Sequence, residues 1–452
     1  MKVELLLKNG QLVLPSEGLV RADLAVEGGK IVALLASSDG VQAREVIDVS
    51  GKYVFPGVID PHTHVGLGNG LPEYATESHA AAIGGTTCYF SFLMNSAPYA
   101  DTFHEHRQAA EKLSYVDFGL HMTAMSDVHL QELPKYVEEL GVTTHKFFMS
   151  FKGDEGAYLG VTGSDDGFMF DLFSAVARFD KGLVPIHTEN IEVVWRLRKR
   201  LQESGRNDLR AWNDSRPPFT ESEAIYRAVY YANLTRCPIY VVHLSSAEGL
   251  REVCQDKERF PEATVYVETC PHYLTHHYEM PVGNLAKVNP PVRSPQDVEA
   301  IWQALLNGAI DVVGSDHVSR RREKKQGTIW QASAGMPGMP LVLPVLLSEG
   351  YHKRGLPLAR IAELTSANPA RIFGCAPRKG SLAVGADADI AVVDLELAKT
   401  VSAEMLGTYA DWSLYEGWPL RGWPVLTLVR GQVVMRDGKV VGKQGHAQYV
   451  AR

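Results

Sequence analysis

From Pro56 to about Gly374 the chain repeats one pattern, a short apolar run followed by a longer helix-like stretch, and that alternation limits the folds open to it. The apolar runs are Thr86 to Phe92, Thr144 to Met149, Val184 to His187, Ile239 to His243, Thr264 to Glu268 and Ile310 to Gly314. The helix-like stretches include Thr102 to Lys112, Ile191 to Glu203, Glu221 to Leu234, Gln296 to Asn307 and Pro357 to Ser366. Strand–helix alternation over about three hundred residues predicts a parallel α/β fold, and a closed TIM-like (β/α)8 barrel fits that length. An open doubly wound sheet is the alternative, but no Gly-x-Gly-x-x-Gly follows an early strand, so the dinucleotide-binding version lacks its signature.

Both flanks read as small β structure. Leu5-Leu6-Leu7 ends at Asn9-Gly10, a tight-turn dipeptide, and Ala22 to Val26 and Lys30 to Leu34 flank the hairpin signal Glu27-Gly28-Gly29. Val46 to Val54 continues in the same style. After Gly374 the pattern returns in Ala388 to Asp394, Val425 to Val429 and Gln432 to Arg436, with Arg430-Gly431 and Asp437-Gly438 as turns. Residues 1–55 and 375–452 are therefore expected to build one small discontinuous β-sandwich domain, and residues 56–374 the barrel.

A formal net charge of -8 disfavours a nucleic-acid partner, because phosphate binding needs a concentrated basic face. The one basic run, Arg320-Arg321-Arg322-Glu323-Lys324-Lys325, reads as a solvated loop or helix end. Five cysteines without a Cys-x-x-Cys pair argue against a disulfide framework or a thiolate zinc site. Met1 to Gly10 has no apolar core of signal-peptide length, and no window reaches the roughly 20 apolar residues of a membrane span. A cytoplasmic location and no membrane partner are expected.

Chemistry gathers where apolar runs end. In Asp60-Pro61-His62-Thr63-His64 the two histidines are two residues apart, so in extended chain they point the same way, and at a barrel strand's C-terminal end that way is the mouth where active sites lie. Two converging imidazoles suit zinc or a similar metal. An isolated His-x-His is more often a chance pair, but His187 ends Leu183 to Ile186, His243 ends Ile239 to Val242, and Asp316 follows Ile310 to Ser315. Four metal-capable strand ends in chain order outweigh coincidence. Of the sixteen histidines, His104, His106, His129, His276, His277, His352 and His446 lie on polar stretches and read as surface residues. Lys146 precedes Phe147-Phe148-Met149 near a strand end. An ammonium has no lone pair for a metal, but combined with carbon dioxide the amine becomes an anionic carbamate able to bridge two cations.

With those residues the sequence resembles the cyclic amidohydrolases: hydantoinase, dihydropyrimidinase, allantoinase and dihydroorotase. The matching pieces are Pro56-Gly57-Val58-Ile59-Asp60-Pro61-His62-Thr63-His64, Gly84-Gly85-Thr86-Thr87, Lys146-Phe147-Phe148-Met149, His187-Thr188-Glu189-Asn190 and Val242-His243-Leu244-Ser245. Further along come Glu268 to Leu274, Asn289-Pro290-Pro291-Val292-Arg293 and Gly314-Ser315-Asp316-His317. Lys379-Gly380-Ser381 with Gly385-Ala386-Asp387-Ala388-Asp389 is typical of the superfamily tail. The resemblance implies one divalent metal on His62, His64 and Asp316 and a second on His187 and His243, zinc first, manganese or cobalt otherwise. Lys146, as N6-carboxylysine, bridges them with a hydroxide. Asp316 is then the catalytic acid–base, and the backbone around Asn289 holds the amide edge of a small cyclic substrate. Homo-oligomers, dimers or tetramers, are implied as well.

Arg216 to Ala224 looks most like hydantoinase and dihydropyrimidinase. Dihydroorotases carry an arginine just after the His-x-His for the substrate carboxylate; here Val65-Gly66-Leu67-Gly68 offers no charge, which points to a neutral ring such as a hydantoin or dihydropyrimidine. Two features depart from the hydantoinase pattern. Phe151 stands where those enzymes resemble one another in a tyrosine that contacts the substrate carbonyl, leaving Tyr158 as a candidate replacement donor. Gly335 to Leu341 looks closer to allantoinase and dihydroorotase. The loops Gly66 to Ser78 and Ser150 to Phe168 are candidates to roof the pocket. An allantoinase-like hydrolase and a non-catalytic dihydropyrimidinase-related scaffold are the competing readings, although all six ligand positions are filled.

Overall fold

The computed structural model describes every residue except Ser16, Phe151 and residues 154–164. It divides into two compact units, Met1–Phe90 with Gln108–Gly119 and Pro337–Val450, and Ser91–Arg107 with Leu120–Met336 and Ala451–Arg452.

Eight strands form one sheet in chain order: Val58–Thr63, Thr86–Leu93, Asp117–Thr123, His145–Phe148, Val184–His187, Ile239–Val241, Val265–Thr269 and Val312–Val313. From the third strand to the eighth, neighbouring registers are parallel. With helices such as Ala100–Leu113, Ile191–Glu203, Pro218–Thr235 and Pro295–Asn307 between them, this is the expected TIM-like (β/α)8 barrel. The strands are buried on both faces, as parallel strands covered by helices must be. Local chemistry sets the helix ends: Ser294 and Asp297 make a reciprocal capping box at Pro295, and Asn190 and Asp208 cap the helices that follow them. Pro56-Gly57 marks the entry to the first strand because a Cβ at Gly57 would fall 2.1 Å from the Thr87 hydroxyl. Among the described residues no helix is long and apolar enough to cross a membrane.

The terminal segments share a second, nine-stranded sheet. Tyr53–Pro56 pairs in parallel with Lys2–Leu14 on one side and antiparallel with Ile390–Thr400 on the other, which joins the two ends of the chain. The first strand feeds two apolar clusters: Leu5 and Leu7 pack with Leu24 and Ile390, while Val3 and Leu6 pack with Ala25. Arg430-Gly431 and Asp437-Gly438 are turns with positive φ, as expected. Asn9-Gly10 is not a turn. It is a bulge inside one long strand, where the pairing steps from Leu7↔Leu24 to Gly10↔Ala22 and Asn9 takes φ +64°.

The tail motif resolves into a buried ionic knot. Lys379 Nζ lies 2.7 Å from Asp117, 2.5 Å from Asp389 and 3.2 Å from Asp387, and Arg430 also binds Asp117. These three aspartates are close enough to hold a cation, but the lysine already supplies one. Burial alone would lower the Lys379 pKa; Asp389 and Asp117 outweigh it and raise it. Asp117 opens its barrel strand, at the end away from the mouth, so the knot is structural. Lys379→Met is expected to cost roughly 3 kcal/mol of stability, the low end for breaking a buried pair, because Arg430, Lys30 and Arg378 still balance part of the charge. Denaturant unfolding measures it; an unchanged midpoint would show the knot dispensable.

Candidate metal centre

His62 and His64 stand at the end of the first barrel strand, both buried, with ring centroids 5.4 Å apart. The intervening Thr63 donates its hydroxyl to the Phe90 carbonyl at 2.9 Å, fixing the strand end between the two rings. Asp316 follows the eighth strand and is buried with φ +49°, a left-handed backbone that aspartate tolerates better than most residues. Two imidazoles and a carboxyl group are donor types that suit a divalent cation.

His187 closes the fifth strand, and His243 sits two residues past the sixth. Both are buried, and His187 Nδ1 is 2.9 Å from His243 Nε2. His187 Nε2 faces the Glu189 carboxylate at 2.7 Å, so that nitrogen carries the proton and Nδ1 keeps its lone pair toward His243. Burial lowers the pKa of His187 and favours the neutral, ligand-competent ring. His243 holds φ +43°, a conformation that costs of order 1–3 kcal/mol outside glycine. Glu268 on the seventh strand secures it, accepting from the His243 backbone N–H at 3.0 Å and from the Tyr240 hydroxyl at 2.8 Å.

Lys146 lies in the fourth strand, fully buried, with Nζ 4.4 Å from the Phe92 ring centroid and 4.5 Å from that of Phe148. Burial is the main influence on its amine. Asp316 and Glu268 pull the other way, and the net pKa falls to about 8. An amine so placed is partly neutral near physiological pH, the form that combines with carbon dioxide.

Asn289 is half-buried, its Oδ1 enclosed and without a hydrogen-bond partner among the described residues. Its segment is braced by Tyr273, which donates to the Pro290 carbonyl at 2.6 Å, and by Trp212, which donates to the Val288 carbonyl at 2.9 Å. Phe151 and Tyr158 lie outside the described residues. Of the two expected loops, the first is partly a helix, Glu73–Ile83; Glu73 accepts from the Gly66 and Asn69 N–H groups at 2.6 and 2.5 Å. Phe168 belongs to the helix Asp166–Val176 and stacks on Phe147 with centroids 6.0 Å apart.

Three surface readings are corrected. His129 is buried, taking an N–H from Met125 on Nδ1 and donating from Nε2 to the Ala97 carbonyl. His276 is buried beside the Thr275 hydroxyl. Lys325, at the end of the basic run, is also buried and donates to the Lys287 carbonyl at 3.0 Å. For His129 and Lys325 a local polar sequence concealed backbone partners distant or hidden in the fold.

Five buried charged neighbours stood in the matching motifs but were given no role there: Glu189, Arg216, Glu221, Glu268 and Arg293. The Arg216 guanidinium sits 2.8 Å from Glu189. Burial would raise the Glu189 pKa, but Arg216 and His187 hold it down at about 2. Glu221 accepts from the Ser245 backbone and hydroxyl at 2.9 Å, two residues past His243. The available signal was a carboxylate two residues beyond a strand-end histidine.

Comparison with known proteins places this geometry among hydrolases. A model of the amidohydrolase family matches residues 242–434. The chain is 34% identical to an L-hydantoinase of Paenarthrobacter aurescens, across 99% of this chain and 98% of the relative. It is 36% identical to an allantoinase of Deinococcus radiodurans, across 98% and 97%. Among solved structures, L-hydantoinase (dihydropyrimidinase) from Arthrobacter aurescens superposes with a TM-score of 0.93 at 32% identity and covers 100% of both chains.

Proposed function

Because this chain belongs to the cyclic amidohydrolase family, we propose that it opens a C–N bond of a neutral cyclic amide, a hydantoin or dihydropyrimidine, at a pair of divalent cations, zinc first among them. The observation that carries the reading is the buried pair His187 and His243, whose facing ring nitrogens lie 2.9 Å apart at the ends of neighbouring strands. His62, His64 and Asp316 would hold one cation and His187 and His243 the other, with carboxylated Lys146 between them. When bound, such cations lower the pKa of water toward neutrality and polarise a carbonyl. Asp316 takes the proton of the attacking water and hands it to the departing ring nitrogen, acting first as base and then as acid. The enclosed Asn289 Oδ1 is a ready acceptor for a ring N–H.

Ring choice follows from charge. Val65, after the two histidines, is buried and apolar, so a ring carboxylate placed there would be desolvated without a counter-ion. Protein reconstituted with zinc, manganese or cobalt is expected to turn over hydantoin, 5-substituted hydantoins or dihydrouracil. Turnover of dihydroorotate alone would sink the neutral-ring argument. The allantoinase relative, at 36% identity, supports a second reading, and allantoin belongs in the same panel. A scaffold would purify metal-free and stay inert after reconstitution. The same preparations, sized by light scattering, test a dimer or tetramer, and fractionated cells test the cytoplasmic location.

A further inference from the structure

One oxygen of Glu189 serves two partners. Oε2 lies 2.7 Å from His187 Nε2 and 2.8 Å from Arg216 Nη1, while Oε1 is enclosed and has no hydrogen-bond partner among the described residues. Glu189 is 0% exposed and Arg216 1%. The arginine is immobilised in turn: its guanidinium lies 4.7 Å from the Trp212 ring centroid, and its carbonyl accepts from Arg293 Nη1. Arg293 Nε donates to the Ser245 hydroxyl at 2.9 Å, and Ser245 is anchored to Glu221. The segment beyond His187 and the segment beyond His243 are thus tied into one buried network of two arginines and two carboxylates.

A buried ion pair is a poor device for stability, since well-packed apolar residues of similar volume are often as stable or more so. Its advantage is direction. We propose that Glu189 and Arg216 are positioning residues, a fixed clamp that makes His187 an Nδ1 donor and thereby sets the affinity of the cation position shared by His187 and His243. The inference rests on the two-cation reading above. A carboxylate on the far nitrogen of a ligating imidazole fixes the ring's tautomer and orientation and raises its basicity; losing such a partner costs about 10- to 100-fold in metal affinity.

The test titrates metal-free protein with cobalt against a chromophoric chelator. Wild type is expected to take up two equivalents. The double variant Glu189→Leu/Arg216→Met removes both charges together, so its thermal unfolding is expected to stay close to wild type. Its second equivalent should weaken by about 10- to 100-fold, with loss of that ion's visible absorption, while the first is unchanged. A folded double variant binding both equivalents with wild-type affinity would overturn the clamp. Wild type taking up no cobalt would instead overturn the two-cation reading. Should the double variant not fold, the cobalt-loaded wild-type crystal structure decides: cobalt on His187 Nδ1 supports the clamp, and cobalt on Nε2 refutes it.

Discussion

Lys146→Ala is expected to lower kcat/KM by at least roughly 10⁴-fold, about 5 kcal/mol of transition-state stabilisation, and to strip most of the bound metal. The argument begins with burial. An ammonium enclosed between the Phe92 and Phe148 rings is costly, and Asp316 and Glu268 only partly offset that cost, which is why the amine's pKa drops to about 8. A neutral amine can attack carbon dioxide: an N–C bond forms, one N–H proton leaves, and the product is an anionic carbamate with two oxygens. Alanine removes that anion and leaves the cations facing mostly neutral imidazoles. Acetate or propionate, entering the vacated space, should restore part of the activity, because a small carboxylate supplies the same two oxygens. Full activity and metal content in Lys146→Ala would end the carbamate reading.

The same group gives a pH dependence of definite sign. Burial disfavours the protonated lysine, so the neutral fraction falls as pH drops below about 8. Near pH 7 about a tenth of the amine is neutral, and near pH 6 about a hundredth. At fixed dissolved carbon dioxide, the initial rate of ¹³C-labelled uptake by the metal-free protein should therefore fall about tenfold between those two values, and the extent at equilibrium more steeply, because forming the carbamate also releases a proton. Uptake independent of pH would place the carbamate elsewhere.

Strand ends were the legible part of this sequence. Val184–His187 and the helix Ile191–Glu203 match their expected limits because an apolar run, a capping asparagine and an amphipathic helix coincide there. The third barrel strand, Asp117–Thr123, was not legible: it carries Asp117 and His121, and only the Lys379 knot and long-range packing make a buried strand of it. Asn9-Gly10 read as a turn because local chemistry cannot tell a hairpin from a bulge in a continuing strand. Glu189 and Arg216 were passed over for a related reason. Charged residues are seldom buried, and a sequence does not display the partner that makes burial affordable. The proposed ligand positions could be read from residue type and place in the chain; the buried charges beside them could not.

Asp316→Asn is expected to reduce kcat by roughly 10²–10⁴-fold, the range for loss of a positioned general acid–base, with KM changed only a few-fold. Asparagine is the informative substitution here. Asp316 sits at φ +49°, where asparagine is among the few residues accommodated without added strain, and its side chain has the same size. The fold should therefore survive, and an oxygen should remain beside His62 and His64. What is lost is the capacity to take a proton. That loss has its own signature: kcat falls while KM and metal content hold. Metal content separates the alternatives. A variant that keeps both metals yet loses kcat assigns the proton transfer to Asp316, whereas one that keeps both metals and full kcat shows that some other group moves the proton.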